Sequence, residues 1–430
     1  MSFRVILPGK YNDFKIFQNG LFTLLFERLN VRNIEQTEPI KINSFFVHLP
    51  KFEVLNMVIA VNTRLLLKGK LEGIGWFSFE TLKRMTLNHP EHEFIFIFDR
   101  PYNQDYVFSD NVTPVVIGPP TRHPVLWYLW FDFQIPRILK KYKVDLFLSP
   151  DGYLSQRTKV PQLGVIHDIN FVHRPDDLPW LKAKYYNYYF PKFARIAKRL
   201  ATVSFYSKED ITRSFKVDYD KIDVVYDGIN QIFAPITEEE KVMVRDKYTN
   251  GSEYFLFVGA LHPRKNVCGL LKAFDAFKSV NGNTTKLVIV GGEMHKTGPI
   301  FDTYENMRNK KDVVFTGRVS TNELHDIFGG AMALTFVPFF EGFGIPIVEA
   351  MSAGVPVICS NTTSIPEVGG NAVLYADPLK IDQITNAMIK LHDNKELRES
   401  LIEKGFVQKE KFSWDETARL LWMSVEKSLQ

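Results

Sequence analysis

Two glutamates eight positions apart, Glu341 and Glu349, bracket the glycine-rich run EGFGIPIVE. Gly342 and Gly344 permit a tight backbone that a ligand can approach closely. Pro346 suits the first turn of a helix, where its missing N–H costs nothing. That helix is predicted to run to about Ala353 and to stop at Gly354, a left-handed cap, with a short buried strand over 355–359 behind it. A helix N-terminus facing a glycine loop favours anions such as phosphate. Two nearby carboxylates suit sugar hydroxyls or a developing positive charge. A site that meets both demands points to a nucleotide-sugar. Three further stretches carry groups of the same kind. In FVGALHPRKN, Arg264 and Lys265 follow a strand that ends at Gly259, offering a planar fork and a point charge to phosphate. In QLGVIHD, His167 and Asp168 close a strand. In KGKLEGIG, Gly73 and Gly75 form a loop after the strand that begins at Met57.

Strands and helices alternate along the chain, and this alternation positions those groups. Strands are predicted over 93–98, 112–117, 145–149, 162–167, 201–203 and 222–225. Helical patterns cover 76–86, 125–142, 181–200 and 207–214. Together with the first strand they describe one doubly wound parallel sheet. Residues 229–252, with Pro235, an acidic triplet and Asn250-Gly251, suit an interdomain connection. A second alternating set follows, with strands over 254–258, 286–290 (ending at Gly291), 312–315, 333–337, 355–359 and 373–375. Its helices fall over 267–280, 321–329, 381–392 and 396–410, and an amphipathic helix over 413–429 closes the chain. Ligands of such sheets bind outside the carboxyl ends of the strands, so two facing sheets define a cleft between domains. The organisation expected is an N-terminal extension over 1–56, a first domain over 57–235, a second over 236–412 and a closing helix over 413–430. Met57 is an alternative start, with the preceding residues an upstream extension.

At 430 residues two domains are the default. Hydrophobic content of 45% and charged content of 24% are those of a globular protein, and a formal charge of +4 gives no case for nucleic acid. Cys268 and Cys359 lack metal spacing and read as buried small hydrophobes in a reducing compartment. With no signal-peptide core and no apolar run of roughly 20 residues, the expectation is a cytoplasmic protein.

Taken together, EGFGIPIVEAMSAGVPVICS, FVGALHPRKN, VIHDINF, AVNTRLL…EGIG, VVYDGIN and KFSWDETARLL resemble the retaining glycosyltransferases of family 4, over about residues 57–428. The HPRKN version is similar to that of bacterial mannosyltransferases of O-antigen and exopolysaccharide assembly. The resemblance implies the GT-B fold: two Rossmann-like domains facing across a cleft, with the last helix crossing back to the first. It also implies transfer of a hexosyl group, mannosyl favoured, from a nucleoside diphosphate sugar, GDP-mannose favoured, to a glycan or lipid-linked acceptor. Two positions depart from the family pattern. Ala260 stands where an arginine is frequent, which puts the phosphate charge on Arg264 and Lys265, and Asn62 stands where an aspartate is frequent.

On this resemblance Glu349 accepts from the ribose hydroxyls, and Glu341 holds the donor sugar and stabilises positive charge. His167 serves the sugar or the acceptor. Gly259, Gly291, Gly344 and Ile345 present backbone to the donor, and Gly73 and Gly75 to the diphosphate or acceptor. Arg264 and Lys265 stand in for a divalent metal, so no metal and no cofactor are expected. Each group has a plainer alternative: solvated loop charges for Arg264 and Lys265, surface carboxylates for the glutamates, a structural histidine and a turn-capping Asp168. Residues 180–199 carry six Lys or Arg, no acid and seven Trp, Tyr or Phe. That composition fits either peripheral contact with anionic lipid on the inner membrane face, or a domain helix with aromatic core and solvated lysines. Two rival functions remain: a nucleotide-sugar epimerase of the same fold and a catalytically silent nucleotide-sugar-binding subunit.

Overall fold

The computed structural model describes residues 56–69, 71–294 and 297–430, together with the backbone of four strands before residue 53 that pair as two separate hairpins. The question of a start at Met57 lies outside the described side chains. The first half of the chain forms a seven-stranded sheet from β1 (Val58–Asn62), β2 (Glu93–Phe98), β3 (Val112–Val116), β4 (Leu146–Ser149), β5 (Gln162–Val165), β6 (Arg199–Thr202) and β7 (Ile222–Val224). Its order is β7-β6-β5-β4-β1-β2-β3, and every pair is parallel. A parallel sheet is covered on both faces, and for that reason its strands are continuous apolar runs rather than alternating ones. Phe94, Ile95, Phe96, Ile97 and Phe98 in β2 are all buried.

The second half repeats the plan with β8 (Tyr254–Val258), β9 (Lys286–Val290), β10 (Val313–Gly317), β11 (Ala333–Phe336), β12 (Val357–Ser360) and β13 (Leu374–Ala376). The order is β10-β9-β8-β11-β12-β13, again parallel throughout. In each sheet the strand order reverses beside the first strand, between β1 and β4 and between β8 and β11. A crevice opens at the carboxyl ends there.

Helix α1 (Gly73–Asn88) follows β1. Gly73 and Gly75 are therefore the first turn of a helix, not a loop. Gly75 packs so closely that a Cβ would meet the Leu65 carbonyl at 3.2 Å. The helical stretch expected over 125–142 is divided into Pro124–Leu129, a π-turn at Trp130–Gln134 and Ile135–Lys141. Pro136 has no N–H for the Asp132 carbonyl and its ring crowds that turn, so the helix widens ahead of it. Helix α2 is Trp180–Ile196 and α3 is Phe205–Phe215.

The expected connection over 229–252 contains a helix, α4 (Glu238–Thr249). The Thr237 hydroxyl accepts from the Glu240 amide at 3.2 Å, and the Glu240 carboxylate accepts from the Thr237 amide at 2.7 Å. This capping box makes the acidic triplet a helix start rather than a linker. Helix α5 (Ile345–Ser352) follows β11. Both cysteines are free thiols, with Cys359 buried in β12.

The last helix, α6 (Trp414–Leu429), returns to the first domain. Its Trp422 stacks on His89 at the end of α1 at 3.6 Å, and Lys427 pairs with Asp223 of β7 at 2.8 Å. Where the chain leaves the first sheet, Ile229 bridges Ser413, and a Cβ on Gly228 would sit 2.3 Å from the Trp414 nitrogen. The two crossings are packed against each other.

Candidate active site

The site is built first from the ends of β8 and β9. Gly259 and Gly291 follow these strands with φ of +152° and +150°. A Cβ on Gly291 would fall 1.9 Å from the Gly259 carbonyl oxygen, so only glycine lets the two strand ends close together. From Gly259 the basic loop turns into the second crevice. His262 caps it by accepting from the Arg264 amide at 3.3 Å. Asn266 then pins it, donating to the Val337 carbonyl at 3.1 Å and the Pro378 carbonyl at 2.8 Å. The acidic loop is tied to it in turn, since the Phe339 amide donates to the Arg264 carbonyl at 2.8 Å.

These ties bring the charges into contact. Arg264 Nη1 donates to Glu341 Oε1 at 2.6 Å and to the Phe340 carbonyl at 3.1 Å. Lys265 Nζ pairs with the same carboxylate oxygen and lies 4.9 Å over the Phe336 ring. Glu341 is only 7% exposed. Burial alone would raise its carboxyl, but Arg264 and Lys265 overcome that and hold it below the usual range. Burial lowers the Lys265 ammonium, while Glu341 and its neighbours carry Arg264 upward against desolvation. The two cations share one carboxylate oxygen, and Asp168 is the next negative charge that acts on both. Glu341 Oε1 is thus taken up by the two cations.

Helix α5 starts against this cluster. Gly344 takes φ of +107° as its N-cap, and Ile345 and Pro346 open the first turn. Glu349 lies one turn along, half-buried, with no hydrogen bond or ion pair among the described residues. Burial pushes its carboxyl up to about 8.

The first domain supplies the opposite wall. His167 Nε2 donates to the Pro150 carbonyl at 2.9 Å, and its ring meets Phe77 edge-on at 4.8 Å. A carbonyl only accepts, so the proton sits on Nε2 and Nδ1 is the acceptor. Burial lowers the imidazole further into its neutral form. Asp168 caps the next turn, accepting from the Asn170 amide at 3.0 Å and side chain at 2.7 Å. The acidic loop touches this segment directly: a Cβ on Gly342 would lie 2.6 Å from the His167 carbonyl oxygen. The N-cap of α1 meets the turn after β10. There Glu72 pairs with Arg318 at 2.6 Å, and Arg318 covers Gly292. Across the gap between the domains the acidic loop thus meets the His167 segment, and the start of α1 meets Arg318.

Several residues of this gap carry no sequence signal. Ser204 donates to the Gly342 carbonyl at 2.8 Å. Glu367 of the second domain accepts from the Phe205 and Tyr206 amides at the start of α3, at 2.8 and 3.2 Å. At the crevice of the first sheet Asn62, Ser149, Asp151 and Arg64 form a buried network, with Arg64 Nε 2.6 Å from Asp151. Asn62 and Arg64 lie more than 80 positions from Ser149 and Asp151, so only the fold brings the two pairs together. Among the described residues, the one grouping of three side chains of metal-ligating type is His89, Glu91 and His92. It precedes β2, at the amino end of the strands, whereas the gap lies at their carboxyl ends.

Two family models match the chain, glycosyl transferases group 1 over residues 239–408 and glycosyltransferase family 4 over 86–231. The chain is a glycosyltransferase whose second half matches group 1 and whose first half matches family 4. It is similar to O-antigen chain mannosyltransferase B of Escherichia coli, 28% identical over 360 residues that cover 81% of this chain and 94% of the relative. O-antigen chain mannosyltransferase RfbU of Salmonella typhimurium is 29% identical over 255 residues, 59% of this chain and 67% of its own. Among solved structures, a glycosyltransferase from Rickettsia africae shares the fold at a TM-score of 0.63 and 17% identity, covering 87% of this chain and 99% of its own. HepE of Anabaena, in complex with UDP and glucose, does so at 0.66 and 13%, covering 86% and 100%. The glycosyltransferase has the two-domain GT-B architecture, with its last helix crossing back.

Proposed function

We propose that this glycosyltransferase moves a mannosyl group from a nucleoside diphosphate sugar, GDP-mannose, to a glycan or lipid-linked glycan acceptor in cell-surface polysaccharide synthesis. Transfer retains the anomeric configuration and needs no divalent metal. The observation that carries this reading is the convergence of Arg264 and Lys265 on Glu341 at the start of α5. The leaving diphosphate gains negative charge as the C1–O bond breaks. Arg264, Lys265 and the first amides of α5 stabilise that charge in a buried, pre-formed setting. Glu349 accepts from the ribose hydroxyls, and Glu341 orders the two cations before the diphosphate takes its place between them. The acceptor oxygen forms the new bond to C1, and its proton leaves with the diphosphate. His167, with its free Nδ1, meets the sugar from the first domain. The mannosyl choice and the polysaccharide setting draw on the names of the two bacterial relatives.

A thermal-shift screen of nucleotide-sugars tests the donor, with GDP-mannose expected to stabilise by roughly 2–4 kcal/mol when well above its dissociation constant. In a transfer assay Glu349→Ala is expected to weaken donor binding and Lys265→Ala to abolish turnover, while EDTA leaves the wild type active. Wild-type rates in both variants, or strict dependence on an added metal, overturn the site. Turnover of the donor to a second nucleotide-sugar without an acceptor identifies an epimerase instead.

A further inference from the structure

Helix α2 carries one face that the transfer chemistry does not use. Its inner side, with Ala183, Tyr185, Phe190, Phe193 and Ala194, is buried in the first domain. Its outer side exposes Trp180 (68%), Tyr188 (58%), Ile196 (43%) and Leu181 (41%), large apolar groups that a domain helix normally turns inward. Between them stand the cations. Lys184 Nζ lies 4.1 Å over the Trp180 ring and Lys192 Nζ 3.5 Å over the Tyr188 ring. The positions 181, 184, 188, 192 and 195 recur at helical spacing, so apolar and basic groups share one stripe.

The charges on this stripe are all of one sign. Arg199 is taken up by Asp223 at 2.9 Å. Among the described residues, Lys182, Lys184, Lys192, Arg195 and Lys198 form no ion pair, and residues 178–199 contain no acid. A solvated helix face ordinarily mixes both signs at i,i+4, because like charges at that spacing repel. The face also continues beyond the helix. Exposed Val125 and Leu129 lie on the neighbouring helix, which meets α2 through Tyr128 and Tyr189 at 6.3 Å. At the other end Ile196 and Lys198 share a groove of about 420 Å³ with Lys159.

We propose that this face of α2 docks the glycosyltransferase on an anionic lipid surface. Trp180 and Tyr188 have rings that suit the headgroup boundary, Leu181 and Ile196 enter below them, and the unpaired lysines reach anionic headgroups along their apolar stems. Membrane binding of this kind needs no spanning segment, and no described helix is long and apolar enough to be one. Helix α2 belongs to the first domain and begins twelve residues after Asp168. The surface stands on its own residues and does not depend on the donor assignment.

Co-sedimentation of the full chain with vesicles tests it, comparing phosphatidylcholine alone with phosphatidylcholine plus phosphatidylglycerol at low and high ionic strength. Binding is expected only with the anionic lipid and is lost at high salt. The double variant Lys184→Glu/Lys192→Glu is expected to bind at least about tenfold more weakly. Trp180→Ala/Tyr188→Ala weakens binding without changing its salt dependence. Both variants should keep the wild-type circular dichroism and melting temperature. Equal binding to zwitterionic vesicles overturns the proposal. So does wild-type affinity in the charge-reversed variant, or self-association through this face in place of lipid binding.

Discussion

One carboxylate oxygen of Glu341 serves both Arg264 and Lys265, so removing its charge leaves two half-buried cations facing each other. Breaking a buried pair from one side costs more than the pair itself contributes, because the remaining charges have lost their solvent. Glu341→Gln is therefore expected to destabilise the fold by about 3 kcal/mol in the absence of ligand. A nucleoside diphosphate brings the missing negative charge, so the same variant should gain more in melting temperature from it than the wild type does. Thermal unfolding with and without GDP checks both halves of the statement. If the variant melts like the wild type, the three side chains are not electrostatically coupled. If GDP stabilises both proteins equally, the diphosphate binds elsewhere. Glu349 behaves differently because it has no cation near it: burial leaves it with a carboxyl at about 8. In the unliganded enzyme at neutral pH it is largely protonated, and it can donate as well as accept towards a diol.

At the level of elements, the turn Tyr226-Asp227-Gly228 joins the first sheet to the second domain and is pressed against Ser413 and Trp414. Asp227 Oδ1 is buried there without a hydrogen-bond partner, and burial pushes the carboxyl from the ordinary 3.8 to about 8. The folded state thus binds the proton more tightly than the unfolded chain does. Its contribution is fully present below the ordinary value and is lost as pH rises towards 8, at up to about 1.4 kcal/mol per pH unit. Asp227→Asn keeps the shape and removes the titration. Its unfolding free energy in urea should match the wild type near pH 4 and exceed it at about pH 9; parallel curves across that range would rule the idea out. The elements themselves were largely legible in the sequence, because buried parallel strands are unbroken apolar runs such as EFIFIF and YFLFV. Helix α4 escaped because Pro235 and Asn250-Gly251 dominate its surroundings, although Thr237 and Glu240 spell a capping box. The residues of the site were legible as types, since glycine-ended strands, paired basic residues and spaced glutamates are local patterns. Their pairings were not: 77 positions separate Arg264 from Glu341, and only the closing of β8 against β11 decides that they meet.

For the whole molecule, the decisive contacts are those by which one domain completes the other. Glu367 caps the start of α3 across the gap, where the helix dipole and two free amides favour a carboxylate. Ser204 donates to the Gly342 carbonyl, and Gly342 itself rests on the His167 segment. A methyl group at residue 342 would stand 2.6 Å from the His167 carbonyl oxygen and 2.9 Å from the Asp168 Cβ, both in the other domain. Neither can yield as a flexible side-chain end would, so the domains must part by a few tenths of an ångström or more. The backbone at Gly342 is not in the left-handed region, so alanine brings no strain of its own. Gly342→Ala should therefore leave the folded stability and the binding of GDP to the second domain close to wild type. On the proposed mechanism, transfer requires His167 and the acceptor to be held against the donor, and a displacement approaching about 1 Å is expected to lower kcat by about a hundredfold. Measuring Kd for GDP beside kcat separates the two domains' contributions. Equal losses in both would mean that Gly342 shapes the nucleotide site, whereas an unchanged kcat would mean that transfer does not need the closed arrangement seen here.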